Sequence, residues 1–147
     1  HGQQRFYLDT YQNHLEENTT SDLLYRGVLQ GKSQSRWQGM IYVDKNAFKA
    51  DGYQANNNLV LSKQAVIEAI PGLEILTDDV KCSHGVTITD IDTEQLFYLK
   101  SRGISENNGI GLIVSGFIQK VLDRISSESL RKIVSDKFIS RINKNML

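Results

Sequence analysis

Ile41-Tyr42-Val43-Asp44-Lys45-Asn46-Ala47-Phe48-Lys49-Ala50 is the stretch from which the fold is read. A short apolar run meets a polar corner, and a second run leaves it. Eighteen positions on, Leu59-Val60-Leu61 is followed by Ser62-Lys63-Gln64 and then Ala65-Val66-Ile67-Glu68-Ala69. Fourteen further on, Leu73-Glu74-Ile75 is followed by Leu76-Thr77-Asp78 and then Asp79-Val80-Lys81-Cys82. Short strands with recurring polar corners suit a parallel β-helix, in which each coil stacks on the last. A β-sandwich makes similar strands but joins them by hairpin turns, and only Asp51-Gly52 offers that signal here.

Upstream, residues 4–15 are rich in aromatics and Thr and alternate loosely, which predicts a strand. Residues 16–22 are polar and turn-like. Leu23–Leu29 is a short apolar run ended by Gln30-Gly31, and Arg36–Val43 is another. Asn56-Asn57-Asn58 reads either as a solvated corner or as an Asn ladder between stacked coils. Pro71-Gly72, with the only proline, reads as a turn.

The pattern changes at Asp92. Asp92 with Gln95 three residues later is a capping-box variant, and Gly103 suits a helix stop. Ser105 caps a second helix, in which Ile110, Ile113, Val114, Phe117, Ile118, Val121, Leu122 and Ile125 recur at helical spacing. Its Gly109, Gly111 and Gly116 signal either close packing or simple tolerance. Ser127 caps a third helix with Leu130, Ile133, Val134, Phe138 and Ile142 on one face, ending in a Lys/Arg/Asn-rich tail that would fray. The predicted division is strands over 1–91 and helices over 92–147.

The 147 residues are 39% hydrophobic, enough for one domain with a real core. Formal net charge is zero, which gives no reason to expect nucleic acid. Residues 1–92 carry 8 Lys/Arg and 12 Asp/Glu, and residues 93–147 carry 9 and 5. That asymmetry is either two solvated surfaces or a basic helical tail suited to an acidic partner. A single cysteine excludes an internal disulfide and points to a reducing compartment. No apolar run reaches the roughly 20 residues of a membrane-spanning helix. His1-Gly2-Gln3-Gln4 opens without methionine or an apolar leader, so a fragment, a processed product or a trimmed chain is expected.

Nucleotide-binding glycine loops, a Gly-x-Ser-x-Gly elbow and a His-Glu-x-x-His zinc motif are all missing. Glu16-Glu17 and Asp78-Asp79 are adjacent, so on a strand each pair points to opposite faces and makes no acid/base couple. Cys82 and His84 remain. On a strand they share a face, about 7 Å apart, and a thiolate with an imidazole suits a transition metal or an iron–sulfur species. The bland alternative is a small buried hydrophobe beside a surface histidine. Only His1 and His14 add strong nitrogen ligands, so a site shared with another subunit fits the ligand count better than a complete internal one.

Leu73-Glu-Ile-Leu-Thr-Asp-Asp-Val-Lys-Cys-Ser-His-Gly85, with Leu96-Phe-Tyr-Leu-Lys-Ser-Arg-Gly103 after it, resembles the SUF iron–sulfur cluster assembly scaffold family, SufB/SufD. Asn18–Leu29, Gly39–Val43, Asp51–Gln54, Asn58–Ser62 and Gly116-Phe117 are similar to the same family in the same order. Val80-Lys-Cys-Ser-His-Gly85 is the SufD-like form. The SufB-like subunit has a cysteine around Ser62–Val66, and this chain has none. Departures are Gly85-Val-Thr-Ile-Thr89 and Gly109-Ile-Gly111, which bear on local packing.

The resemblance implies a mainly β fold: a right-handed parallel β-helix followed by a small helical domain, similar to the C-terminal portion of longer proteins. It implies a non-catalytic scaffold in the cytoplasm or a plastid, paired with a SufB-like subunit and docked to a SufC-like ATPase. A homodimer without that partner is the other assembly it allows. A transient iron–sulfur cluster would form at the shared interface, with His84 and Cys82 as ligands on this side. Leu96, Phe97, Tyr98, Arg102 and Gly103 would dock the ATPase, although Phe97, Tyr98 and Leu99 also read as local core. The alternatives are a pairing subunit without ligand role or, more remotely, a β-helical carbohydrate-active protein.

Overall fold

The computed structural model describes residues 3–146, with side chains as far as Arg141. Six strands come first: β1 (Arg5–His14), β2 (Thr20–Leu29), β3 (Gln34–Val43), β4 (Ala50–Val60), β5 (Val66–Ile75) and β6 (Val80–Asp90). Helices α1 (Thr93–Ser101), α2 (Glu106–Leu122) and α3 (Glu128–Met146) follow. The strands form two three-stranded sheets, β1-β3-β5 and β2-β4-β6, parallel throughout and neither one closed.

The chain therefore alternates between two sheets and returns to the first after each circuit. Ile41 pairs with Leu73, while Leu59 lies in the other sheet. The unequal steps of eighteen and fourteen residues in the sequence are the two halves of one circuit. The three polar corners hold as corners, and the strands are longer than the apolar runs suggest. Asn18 and Lys49 sit at the same corner of successive circuits, both at φ 58°. Beside them the backbone pairing continues round the bend, Asn18 N–H donating to the Phe48 carbonyl and Lys49 N–H to that of Asp79.

At three places the strand context overrides local turn chemistry. Asp51-Gly52 and Asn56-Asn57-Asn58 lie inside β4, and Pro71-Gly72 lies inside β5. The corner reading of Asn56–Asn58 is thus wrong. Asn56 and Asn58 point inward, buried and bonded to each other, while Asn57 accepts from the Thr87 hydroxyl at 2.8 Å on β6. Pro71 is tolerated because β5 is an edge strand, where a missing N–H need not break a ladder.

The core is the middle circuit. Trp37, Ile41, Val43, Ala47 and Ala50 are essentially inaccessible, and Val80 and Cys82 pack against the cluster of Ile41, Val43, Ala47 and Ala50. Among the described residues the outer circuits have a neighbour on one side only, and inward-facing Phe6, Leu8, Leu73 and Ile75 are partly exposed. Gln54 crosses between the sheets, its amide donating to the carbonyls of Gly72 (3.1 Å) and Gly39 (3.5 Å).

The helical caps follow the sequence. Asp92 accepts from the N–H groups of Glu94 and Gln95, Ser105 from Asn108 and Ser127 from Leu130. Gly103 turns at φ 83° just past α1. Of the three helix glycines, only Gly109 is a packing residue: a methyl there would meet Leu96 Cδ1 at 2.9 Å, while Gly111 and Gly116 face open space. Helix α2 lies against β2. Arg26 donates to the Phe117 carbonyl at 2.5 Å and stacks over the Phe117 ring, and Arg124 pairs with Asp22 at 3.0 Å. Burial, and secondarily the charge of Arg124, lower the Arg26 pKa below its ordinary value. The predicted fraying tail, and Ile142 with it, lie outside the residues whose side chains are described.

Candidate functional site

Strand β6 carries the two residues singled out in the sequence. Within the second sheet, Cys82 is in register with Gly52 and His84 with Gln54. Both belong to the row that faces the other sheet. Their environments differ, however. Cys82 is half-buried against the Ile41/Val43 cluster, whereas His84 is exposed. β6 is the edge of its sheet, so among the described residues no further strand covers His84.

The structure adds His14 to this neighbourhood, a residue the sequence offered only as a nitrogen ligand at large. A methyl group at Gly52 would lie 3.2 Å from Cys82 Sγ, 3.2 Å from Ile41 Cγ2 and 3.3 Å from His14 Nε2. The imidazole thus reaches from β1 into the gap that Gly52 leaves beside the thiol. His14 is buried, and its hydrogen bonds settle its tautomer. Thr19 must donate to the Glu16 carbonyl (3.1 Å), so it accepts from His14 Nδ1–H (2.6 Å). Nε2 then accepts from the Ser21 hydroxyl (2.8 Å), which itself accepts from the Gln12 amide (2.7 Å). No sequence spacing points to this contact, because β1 and β6 stand in different sheets two circuits apart. His1 lies outside the described residues. Among the described residues no group of three His, Cys, Asp or Glu side chains converges as a metal site.

The second set of predicted residues sits on α1. Phe97 is 74% exposed and Tyr98 57% exposed, so the local-core reading fails for both. Arg102 lies over the Tyr98 ring at 5.2 Å, and Leu96 packs inward against Gly109. A surface cavity of about 490 Å³ opens beside them, lined by Asp92, Gln95, Tyr98, Leu99 and Leu112. Lys100 bridges α1 to Glu106 at the start of α2 (2.7 Å). That hydrogen bond, followed by its charge, lowers the Glu106 pKa.

The sequence itself matches known proteins. Residues 1–117 match the family model described as SUF system FeS cluster assembly, SufBD core domain. The chain belongs to that family. It is 36% identical over 133 residues to the iron–sulfur cluster assembly protein SufD of Escherichia coli, covering 90% of this chain and 31% of that protein. A SufBD family protein of Synechocystis is 36% identical over 108 residues, covering 74% of this chain and 24% of that protein. The chloroplastic protein ABCI7 of Arabidopsis thaliana is 32% identical over 104 residues, 71% of this chain and 22% of that protein. The chain spans less than a third of the length of each of these relatives. It is SufD-like, by its identity to SufD over most of its length. Among the described residues no helix is long and apolar enough to cross a membrane.

Proposed function

We propose that this chain is the part of a SufD-like scaffold that presents one half of an iron–sulfur assembly site, with the cluster as cargo. The observation that carries it is the placement of Cys82 and His84 on the inward row of an edge strand. Two donors at an uncovered edge are half of the roughly four protein ligands a cluster takes, so the remainder comes from a SufB-like partner lying against β6. We read the two parallel sheets as walls of a right-handed β-helix, residues 1–91, and residues 92–147 as a separate helical domain. That domain docks a SufC-like ATPase through Phe97, Tyr98 and Arg102, with Leu96 and Gly103 shaping the surface. The chain catalyses no reaction itself and works in the cytoplasm or a plastid.

Reconstitution of the full-length protein with SufB-like and SufC-like subunits tests this. His84→Ala lowers cluster assembly, read by absorbance and iron content, while the circular dichroism and the complex with the SufB-like subunit persist. Normal assembly by that variant refutes the ligand role and leaves a purely structural pairing subunit. Cys82→Ser then separates a ligating thiolate from a packing one.

A further inference from the structure

The space between the two sheets is lined by polar groups, and three of them, at neighbouring positions of the register, lack a partner among the described residues. Trp37 is 1% exposed and Gln54 0%, yet neither Trp37 Nε1 nor Gln54 Oε1 has a hydrogen-bond partner among the described residues. A buried polar group left unpaired is destabilising, and such groups in folded proteins nearly always find protein or water. The two side chains come from opposite sheets and meet over Gly39. A methyl there would lie 2.2 Å from Trp37 Cζ2 and 2.7 Å from Gln54 Oε1. Thr10 is in register with Gly39, and its buried hydroxyl is also unpartnered.

The chemistry of the three groups selects the occupant. The indole N–H only donates, the amide oxygen only accepts and the hydroxyl does either. A cation has no use for the indole donor, and an anion is repelled by the carbonyl oxygen. A small neutral molecule that both donates and accepts satisfies all three, and about three partners is the usual complement of a buried water.

We propose that Trp37, Gln54 and Thr10 hold an internal water between the sheets, one strand behind His84. Its place follows from the register, since Gln54 is the β4 partner of His84. The water completes the hydrogen bonding of the Gln54 amide, whose nitrogen is already tied to Gly39 and Gly72 across the sheets. The exposed edge carrying His84 then rests on a satisfied polar group. This inference is independent of any cluster role for His84.

Trp37 is the only tryptophan, so its indole proton gives a single resonance. In the ¹⁵N-labelled protein, water-selective NOE spectra should show a cross-peak from that proton to a long-lived water. Gln54→Met, of similar volume without the acceptor, should weaken it several-fold, and Thr10→Val should weaken it less. An indole proton that sees only protein protons overturns the proposal, as does a cross-peak of unchanged intensity in the Gln54→Met protein. Should that variant not fold, a wild-type crystal structure decides. Density within hydrogen-bonding distance of both Nε1 and Oε1 supports the site, and a protein acceptor on Nε1 removes it.

Discussion

Strands β4 and β6 are neighbours in one sheet, joined residue for residue from Ala50↔Val80 to Val60↔Asp90, yet they live in different environments. On β4 the inward row is buried and polar: Gly52, Gln54, Asn56 and Asn58. On β6 the same row is Cys82, His84, Val86 and Ile88, half-buried or exposed. Polar Gln54, Asn56 and Asn58 are inside while apolar Val86 and Ile88 lie at the edge, the reverse of simple partitioning. Stacking explains it. A middle strand is covered by a circuit on each side, so its side chains are enclosed whatever their polarity and must find hydrogen bonds. An edge strand has one neighbour, and its donors stay available to another molecule.

Four measurements break or sharpen this comparison. The largest effect is expected from glycine replacement. Gly39→Ala drives a methyl to 2.2 Å from Trp37, and enclosed neighbours cannot yield. Urea denaturation should show a loss of about 3 kcal/mol or more. Gly85→Ala on β6, where nothing lies within 4 Å, should stay within about 0.5 kcal/mol. Equal losses would refute the claim that stacking sets the difference.

Next comes a single row of the first sheet. Ile41 is fully buried and its partner Leu73 is 36% exposed. Ile41→Ala should cost about 3 kcal/mol, and Leu73→Ala about 1 kcal/mol. If a partner subunit covers that edge, the Leu73→Ala penalty should grow in the complex.

A smaller effect is expected where the helices meet β2. Asp22→Asn removes the charge opposite Arg124, an exposed pair, and thermal unfolding should report less than about 1 kcal/mol. Arg26, which donates to the Phe117 carbonyl and also stacks over the Phe117 ring, is expected to be the stronger tie. Loss of docking between α2 and β2 on Arg26→Ala, with Asp22→Asn tolerated, would rank the two.

The smallest effect is a pH dependence. Lys100 depresses the Glu106 pKa from its ordinary 4.5, so the stabilisation is present above about pH 4.5. It is lost as pH falls through the lower folded value. Glu106→Gln should flatten the acid limb of the melting-temperature profile slightly, and an unchanged limb would show the ion pair to be inert.

Much of the helical part was legible. Asp92, Ser105 and Ser127 cap as their side chains suggest, because capping depends on contacts within one turn. The polar corners were legible for the same local reason. The interior of the strands was not. Pro71-Gly72 and Asn56–Asn58 carry turn chemistry, but long-range pairing holds both in strands, and pairing partners some thirty residues away leave no local trace. His14 shows the limit most clearly. Its place beside Gly52 and Cys82 depends on two sheets closing over each other.

The sequence alone determined that strands precede helices, where the corners and caps fall, and that Cys82 and His84 share a strand face two residues apart. These depend on periodicity and short-range hydrogen bonding, which a chain carries in its order of residues. The tertiary structure alone decided that Cys82 is packed and His84 open, that Gln54 and Trp37 meet over Gly39, and that Phe97 and Tyr98 face outward. Each depends on which surfaces stack, since burial is a property of neighbours in space.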